Sequence, residues 1–382
     1  MRIAVFSEVY WPMVSGVGVT LHRLTEALEA RGHVVRVYSA SYDLPPEGTD
    51  RPEVHRSPSV PFFLYPEIQW AFPRAKELAA DLARFRPDVV HVATEFAMGR
   101  AGLKAAQQLG VPVIASAHTD YDKYAARYNV EWALPMAWIY GRWFYNQTAR
   151  VLCPSRYFER CLQRRGVLHT GLWSRGVDPA VFHPRFRSPA WRRQFGLAPG
   201  DLLLTYIGRI AREKDLDLVL EAWPALRRRW ANAQLTLVGR GPLEEEIRRQ
   251  RIPGVHVLGL RTGRELSEAY ASADLFVFPS PTETFGNSLL EAMASGLPCL
   301  AVNAGGVVEF ARHGRNAWLV EPGSRAAMQD GLTRLLDDEG LRARLAEGAR
   351  RTADERPWDV IYDQLIADYR TVAAAQAATR AA

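Results

Sequence analysis

An alternation of short apolar segments with amphipathic helical patterns runs through this chain twice, and little else in the sequence constrains the fold as strongly. In the first run, strand candidates Ile3–Ser7, Val34–Ser39, Asp88–Ala93, Val111–Ala117 and Arg150–Pro154 are separated by helical patterns near Val17–Arg31, Phe72–Phe85, Gly99–Leu109, Glu131–Thr148 and Ser155–Arg165. Helices lying between strands make parallel crossovers, so the pattern predicts an α/β fold with a parallel sheet. Periodicity is lost in "GLWSRGVDPAVFHPRFRSP", where Pro, Gly and Arg cluster as in a domain linker, and then restarts. The second run has strands in "DLLLTYIG", "AQLTLVG", Val255–Leu258, "DLFVFPS", "PCLAV" and "NAWLV", with helices at Asp215–Arg229, Pro242–Gln250, Arg264–Ser272, Phe285–Ser295 and after Arg325.

A length of 382 residues exceeds one ordinary core and suits two domains of similar size. The expected architecture is two Rossmann-like, doubly wound domains facing a deep cleft, covering residues 1–175 and 176–357, with a helix over 358–375 packing back on the first. The stretch Asp43–Pro66, with several prolines, reads as a surface excursion, and the tail "TVAAAQAATRAA" as a segment that frays. Doubly wound domains bind ligands beyond the carboxyl ends of their strands, so two such domains predict one site in the cleft.

Composition narrows the class. The chain has no secretory signal and no apolar run of the roughly 18 residues that span a membrane, so a cytoplasmic protein is expected. Three scattered cysteines, Cys153, Cys161 and Cys299, fit neither a disulfide framework nor a metal cluster. A net charge of +6 suits phosphate-bearing substrates or an anionic membrane surface. Nucleic acid is not an expected partner, because no basic segment interleaved with aromatics and no nucleic-acid motif is present. Lysine is rare, 44 of the 48 basic residues being arginine, which draws attention to a lysine inside a loop motif.

Four segments carry candidate chemistry. The first is "SPTETFGNSLLEAMASGLP", where a strand leads through Thr284, Phe285, Gly286 and Asn287 into a helix. A helix N-terminus presents unpaired N–H groups and a positive dipole end, which suit a diphosphate. Glu283 precedes that helix, placed to accept from sugar hydroxyls, and Glu291 lies inside it, placed to accept from a ribose; the bland alternative is two solvated glutamates. The second is "YIGRIAREKDLDLVLEA", where Arg209 and Lys214 offer two cations that can clamp a pyrophosphate and neutralise its charge as it departs, unless they are surface cations beside Glu213 and Asp215. The third is the turn after the first strand, "VYWPMVSGVGVTLHRL", where Gly16 and Gly18 permit a ligand to approach closely, the bland alternative being ordinary turn glycines. It is not the dinucleotide fingerprint, so a nicotinamide-dependent dehydrogenase is disfavoured. The fourth is "HTDYDKY", which places His118 and Asp120 at the carboxyl end of a buried strand; a histidine there is often only structural. Gly239, closing "AQLTLVG", and Leu260 with Arg261, after the next strand, complete the candidate binding residues.

Together "SGVGV", "HTDYDKY", "RGVDPAVFHP", "GRIAREK", "AYASADLFVFPSPTETFGNSLLEAMASGLP" and "AGGVVE" resemble glycosyltransferase family 4, retaining enzymes of GT-B architecture, across nearly the whole chain. The run from Ala269 to Pro298 and "VPFFLYPEIQWAFP" most resemble the branch of GDP-mannose-dependent α-mannosyltransferases and plant-type sulfolipid synthases. The resemblance implies that Arg209 and Lys214 hold the donor diphosphate, that Glu283 contacts the transferred sugar beside the amides of residues 284–287, and that Glu291 binds the ribose. It also implies that Gly16 approaches the diphosphate and that His118 sits beside the reacting sugar. No cofactor or metal is expected, the nucleotide sugar being a substrate; the one candidate acidic pair, Asp215 and Asp217, falls on a predicted helix.

The chain departs from the pattern where the nucleobase should sit. Arg261, Thr262 and Gly263 put no acidic side chain there before Glu265, so guanine and uracil both stay open, and with them a UDP-sugar-dependent glycolipid synthase. A sugar-nucleotide epimerase would share the architecture, a hydrolase would need two carboxylates at the scissile bond, and a non-catalytic sugar binder would lack the phosphate clamp. The acceptor is read as a lipid or a glycan. The aromatic segment "EWALPMAWIYGRWFYNQ", with Arg74, Lys76 and Arg142, suits docking on an anionic bilayer, and equally suits a packed helix.

Overall fold

The computed structural model describes residues 1–11, 13, 15–42, 53–62 and 65–381. Contacts divide the chain into two units, Met1–Thr119 with Trp132–Ser174 and Asp359–Ala382, and Asp120–Glu131 with Arg175–Trp358. The short segment Asp120–Glu131 therefore groups with the second unit although the chain on both sides of it belongs to the first.

The first unit holds strands β1 (Arg2–Ser7), β2 (Val34–Ala40), β3 (Glu53–Ser57), β4 (Ser59–Phe62), β5 (Tyr65–Ala71), β6 (Val89–Val92), β7 (Val113–Ser116), β8 (Arg150–Cys153) and β9 (Thr170–Leu172). Seven of them form one sheet in the order β3-β2-β1-β6-β7-β8-β9, every neighbouring pair parallel. β1 and β6 to β8 are almost wholly buried, because helices cover both faces of a doubly wound sheet. Ala4, Phe6, Val90, Val92, Ala115 and Val151 form the middle of this unit's core.

Two expectations fail in this unit. Part of the expected excursion Asp43–Pro66 is regular: β3 extends the sheet beside β2, and β4 pairs antiparallel with β5. Prolines tolerated at a sheet edge hid these strands, and residues 43–52 and 63–64 lie outside the described part. The tail is also helical, in one helix from Trp358 to Ala381, rather than frayed. Its end is held by Gln376 Nε2 and Arg380 Nη2, which donate to the carbonyls of Gly110 and Leu109. Alanine-rich composition favours helix wherever such tethers are supplied.

The second unit contains β10 (Leu203–Ile207), β11 (Gln234–Val238), β12 (Val255–Gly259), β13 (Leu275–Phe278), β14 (Cys299–Val302) and β15 (Trp318–Val320). Their order, β12-β11-β10-β13-β14-β15, reverses direction between β10 and β13, which is the topological switch point of a Rossmann sheet. Helices Leu216–Arg229, Asn287–Ala294, Arg325–Asp337 and Glu339–Asp354 supply apolar faces to a core that includes Trp223, Phe276, Leu290 and Leu345.

Candidate functional site

At the switch point the carboxyl ends of β10 and β13 deliver the two strongest motifs side by side. Arg209 follows β10, and a 3-10 turn over Arg212–Lys214 then leads into the next helix. β13 ends at Phe278 and passes through Ser280–Gly286 into the helix Asn287–Ala294. The lysine and the first glutamate meet there: Lys214 Nζ lies 2.6 Å from Glu283 Oε1, with both side chains largely buried. A charge-assisted contact of that length holds both groups in place on the same patch of backbone.

Arg209 is positioned from beneath. Its backbone carbonyl accepts from Tyr206 Oη at 2.7 Å, and its Nε lies 3.9 Å from Glu213 Oε1. Burial pushes the Arg209 guanidinium down to about 10, with the Glu213 carboxylate opposing the shift, and at neutral pH it stays charged. Glu213 and Asp215 are buried, so the reading of this stretch as a surface cluster does not hold. Tyr128 Oη donates to Glu213 Oε2 at 2.9 Å, and Thr282 Oγ1 donates to the Glu213 carbonyl at 3.1 Å. Glu213 thus ties the Arg209 loop to the loop that carries Glu283.

Gly286 is the N-cap of the helix Asn287–Ala294, at φ 106 in the left-handed region where a side chain would be strained, and no side chain caps it. The first amides of such a helix have no intrahelical carbonyl to bond, so they remain available to an anion. Phe285 is buried and stacks on Phe310 at 4.9 Å, which makes it an anchor for the loop. Beneath the loop lie the glycines of "AGGVVE": Gly306 N donates to the Glu283 carbonyl at 2.7 Å, and a Cβ at Gly306 would stand 2.1 Å from the Thr284 carbonyl oxygen. Only glycine lets the two backbones approach this closely.

Glu291 lies within this helix, and its Oε2 accepts from the buried Tyr270 hydroxyl at 2.8 Å. Burial, followed by the nearby Glu291 carboxylate, raises Tyr270 well above the usual phenol range, so this hydroxyl keeps its proton and donates. Gly239, after β11, passes so close to Gly208 that a Cβ there would stand 1.9 Å from the Gly208 carbonyl oxygen. Leu260 and Arg261 lie past β12, where Arg261 reaches Glu265 at 3.5 Å and the Leu260 carbonyl at 3.1 Å. Asp120 caps the helix Tyr121–Tyr128, accepting from Lys123 N at 3.4 Å, and burial raises its carboxyl above the ordinary range.

In the first unit, Ser15 caps the helix Gly16–Ala30 by accepting from Gly18 N at 3.0 Å. A Cβ at Gly18 would strike the Met13 carbonyl at 2.6 Å, whereas one at Gly16 meets no atom of the described residues within 4 Å. His118 stands just past β7, its Nε2 2.8 Å from Ser116 Oγ and its ring edge-on to Trp173. Glu213, Tyr270 and the pair Gly305–Gly306 escaped the sequence reading as site residues; of these only the double glycine of "AGGVVE" carried a local signal. Among the described residues no group of three or more His, Cys, Asp or Glu is placed to hold a metal ion.

Comparison with known proteins shows what this chain is similar to. The profile of the family described as Glycosyltransferase Family 4 matches residues 14–181, and that described as Glycosyl transferases group 1 matches residues 201–338. A GDP-mannose-dependent alpha-mannosyltransferase of Mycobacterium tuberculosis is 34% identical over 97% of both chains. A sulfoquinovosyl transferase of Arabidopsis thaliana is 32% identical over 94% of this chain and 71% of its own. Among solved structures, sucrose-phosphate synthase from Thermosynechococcus elongatus superposes with a TM-score of 0.79 at 21% identity, covering 98% of this chain and 100% of that one.

Proposed function

Because this chain belongs to glycosyltransferase family 4, with two Rossmann-like α/β domains of the GT-B class, we propose that it transfers mannose from GDP-mannose with retention of anomeric configuration. The observation that carries the reading is the convergence of Arg209, the Lys214–Glu283 pair and the uncapped helix at Gly286 on one sheet's switch point. In this reading Arg209, Lys214 and the first helix amides neutralise the departing diphosphate, a role that electrostatic preorganisation fills without proton transfer from the protein. Glu283 accepts from hydroxyls of the transferred sugar, Glu291 and Tyr270 hold the ribose, and Gly16 admits the diphosphate. His118 faces the sugar. The bond from the anomeric carbon to the diphosphate breaks through an oxocarbenium-like species, and the departing phosphate oxygen takes the acceptor's proton as the new glycosidic bond forms on the same face.

Guanosine is preferred to uridine on the likeness to the mannosyltransferases, since the loop at Leu260–Gly263 offers no acidic reader of guanine. Isothermal titration with GDP and with UDP tests this: tighter GDP binding is expected, and tighter UDP binding would replace mannose by a sugar carried on uridine.

The acceptor we propose is a lipid, reached from an anionic membrane surface. The helix Leu134–Tyr145 and the turn before it bury Gly141, Phe144 and Tyr145 while exposing Trp132 (81%), Met136 (69%), Ile139 (56%) and Trp143 (45%). That spacing puts four apolar side chains on one stripe, with Arg142 and Arg165 exposed nearby. The helix both packs into its unit and presents an apolar face. Among the described residues no helix is long and apolar enough to cross a membrane, so the association proposed is peripheral. Flotation should show binding to anionic vesicles that weakens with salt; equal binding to neutral vesicles, or none, would remove the bilayer from the proposal.

A further inference from the structure

His118 stands at one end of a hydrogen-bonded chain that runs through the core of the first unit. His118 Nε2 lies 2.8 Å from Ser116 Oγ, Ser116 Oγ lies 2.8 Å from His91 Nε2, and His91 Nδ1 lies 2.6 Å from the Tyr369 hydroxyl. The links come from β7, from β6 and from the C-terminal helix. His91 and Tyr369 are fully buried, and Trp173 closes edge-on over both imidazoles, 5.6 Å from His91 and 5.9 Å from His118.

Proton counting gives the chain a direction. A neutral imidazole has one donor and one acceptor nitrogen, and a hydroxyl has one proton to give. Among the described residues the Tyr369 hydroxyl has no hydrogen-bond partner besides His91 Nδ1, and a buried O–H without an acceptor is costly. Tyr369 therefore donates to Nδ1, which leaves the His91 proton on Nε2, directed at Ser116. Ser116 then turns its own O–H to His118 Nε2, and His118 carries its proton on Nδ1. The opposite tautomer of His118 would aim two N–H donors at Ser116 and strand the serine proton, or else reverse every bond back to Tyr369.

We propose that Tyr369, His91 and Ser116 are positioning residues that hold His118 in its Nδ1–H tautomer. The C-terminal helix thereby decides which ring nitrogen can offer a hydrogen bond to the sugar. The consequence for the sugar rests on His118 facing it as proposed above; the tautomer does not.

The test is long-range ¹H–¹⁵N correlation on the full-length protein labelled with ¹⁵N-histidine, the His118 signals being assigned by their loss in His118→Gln. The wild type should show His118 protonated at Nδ1 and bare at Nε2, and Tyr369→Phe should convert it to a mixture or to the Nε2–H form. Ser116→Ala, which cuts the chain at its middle, should do the same and serves if the phenylalanine variant does not fold. Loss of one neutral hydrogen bond acting through the histidine predicts kcat roughly three- to tenfold lower in Tyr369→Phe, with donor KM within about twofold of wild type. An Nε2–H signal in the wild type, or an Nδ1–H signal unchanged in both variants, overturns the proposal, even if the variants melt earlier. Absence of sugar transfer by a wild type that shows the expected tautomer would instead remove the functional reading and leave the hydrogen-bond chain standing.

Discussion

Two glycine-bearing turns, one in each unit, lead from a central strand into a helix, and they complete those helices in opposite ways. The turn before Gly16–Ala30 caps itself, with Ser15 accepting from Gly18 N, and leaves Gly16 beside open space. The loop before Asn287–Ala294 has no side-chain cap, and glycines support it from below as Gly306 packs against the Thr284 carbonyl. In the second unit the glycine at Gly306 serves the protein's own packing, letting the loop that carries Glu283 lie directly against it. In the first unit none of the described residues crowds Gly16. Sequence alone gives Gly16 a loose role in a turn and Gly306 none, and the surrounding atoms separate them.

That contrast is broken most severely by Gly306→Ala. The added methyl would stand 2.1 Å from the Thr284 oxygen, so the loop must move. Overpacking of this kind costs about 1–3 kcal/mol, and a lowered melting temperature should accompany weakened nucleotide binding in titration calorimetry. Wild-type melting and affinity would show that the loop is not held from beneath.

A second test sharpens the comparison within the loop and its helix. Glu291 should hold a ribose that does not change during transfer, so Glu291→Ala raises donor KM with kcat kept. Glu283 should contact the sugar whose charge changes, so Glu283→Ala is expected to lower kcat. Hydrogen bonds to charged groups contribute roughly 1.5–3 kcal/mol, which predicts about tenfold or more in each case. Steady-state kinetics decide it, and an unchanged kcat in Glu283→Ala would remove that residue from the reacting sugar.

The smallest effect on stability belongs to Gly16→Ala, expected to alter folding free energy by no more than about 0.5 kcal/mol while raising donor KM. If thermal melts and KM both match wild type, the open space beside Gly16 faces no ligand.

Much of this was legible in the residues themselves, because strand–helix alternation and loop motifs are local signals. Every strand expected in the two runs is present to within a few residues, and Arg209, Lys214, Glu283 and Glu291 stand on the predicted elements. What stayed hidden is what long-range contacts decide. Nothing near Glu213 in sequence announces that it is buried between two loops, or that Tyr270 will meet Glu291. The edge strand β3 and the hairpin of β4 and β5 were masked by prolines, and the helical tail by a composition that gave no hint of its tethers to Leu109 and Gly110.

The helix Trp358–Ala381 also bears on the order in which the protein is made. Its Tyr369 is the last link bonded to His91, and Asp359–Ala382 completes a unit that begins at Met1. Domains generally fold as they leave the ribosome, amino-terminal first. Here Arg175–Trp358 is synthesised before the piece that finishes the amino-terminal unit. The polar chain from Tyr369 to His118 therefore cannot close during translation until the helix Trp358–Ala381 has been made, after the whole of Arg175–Trp358.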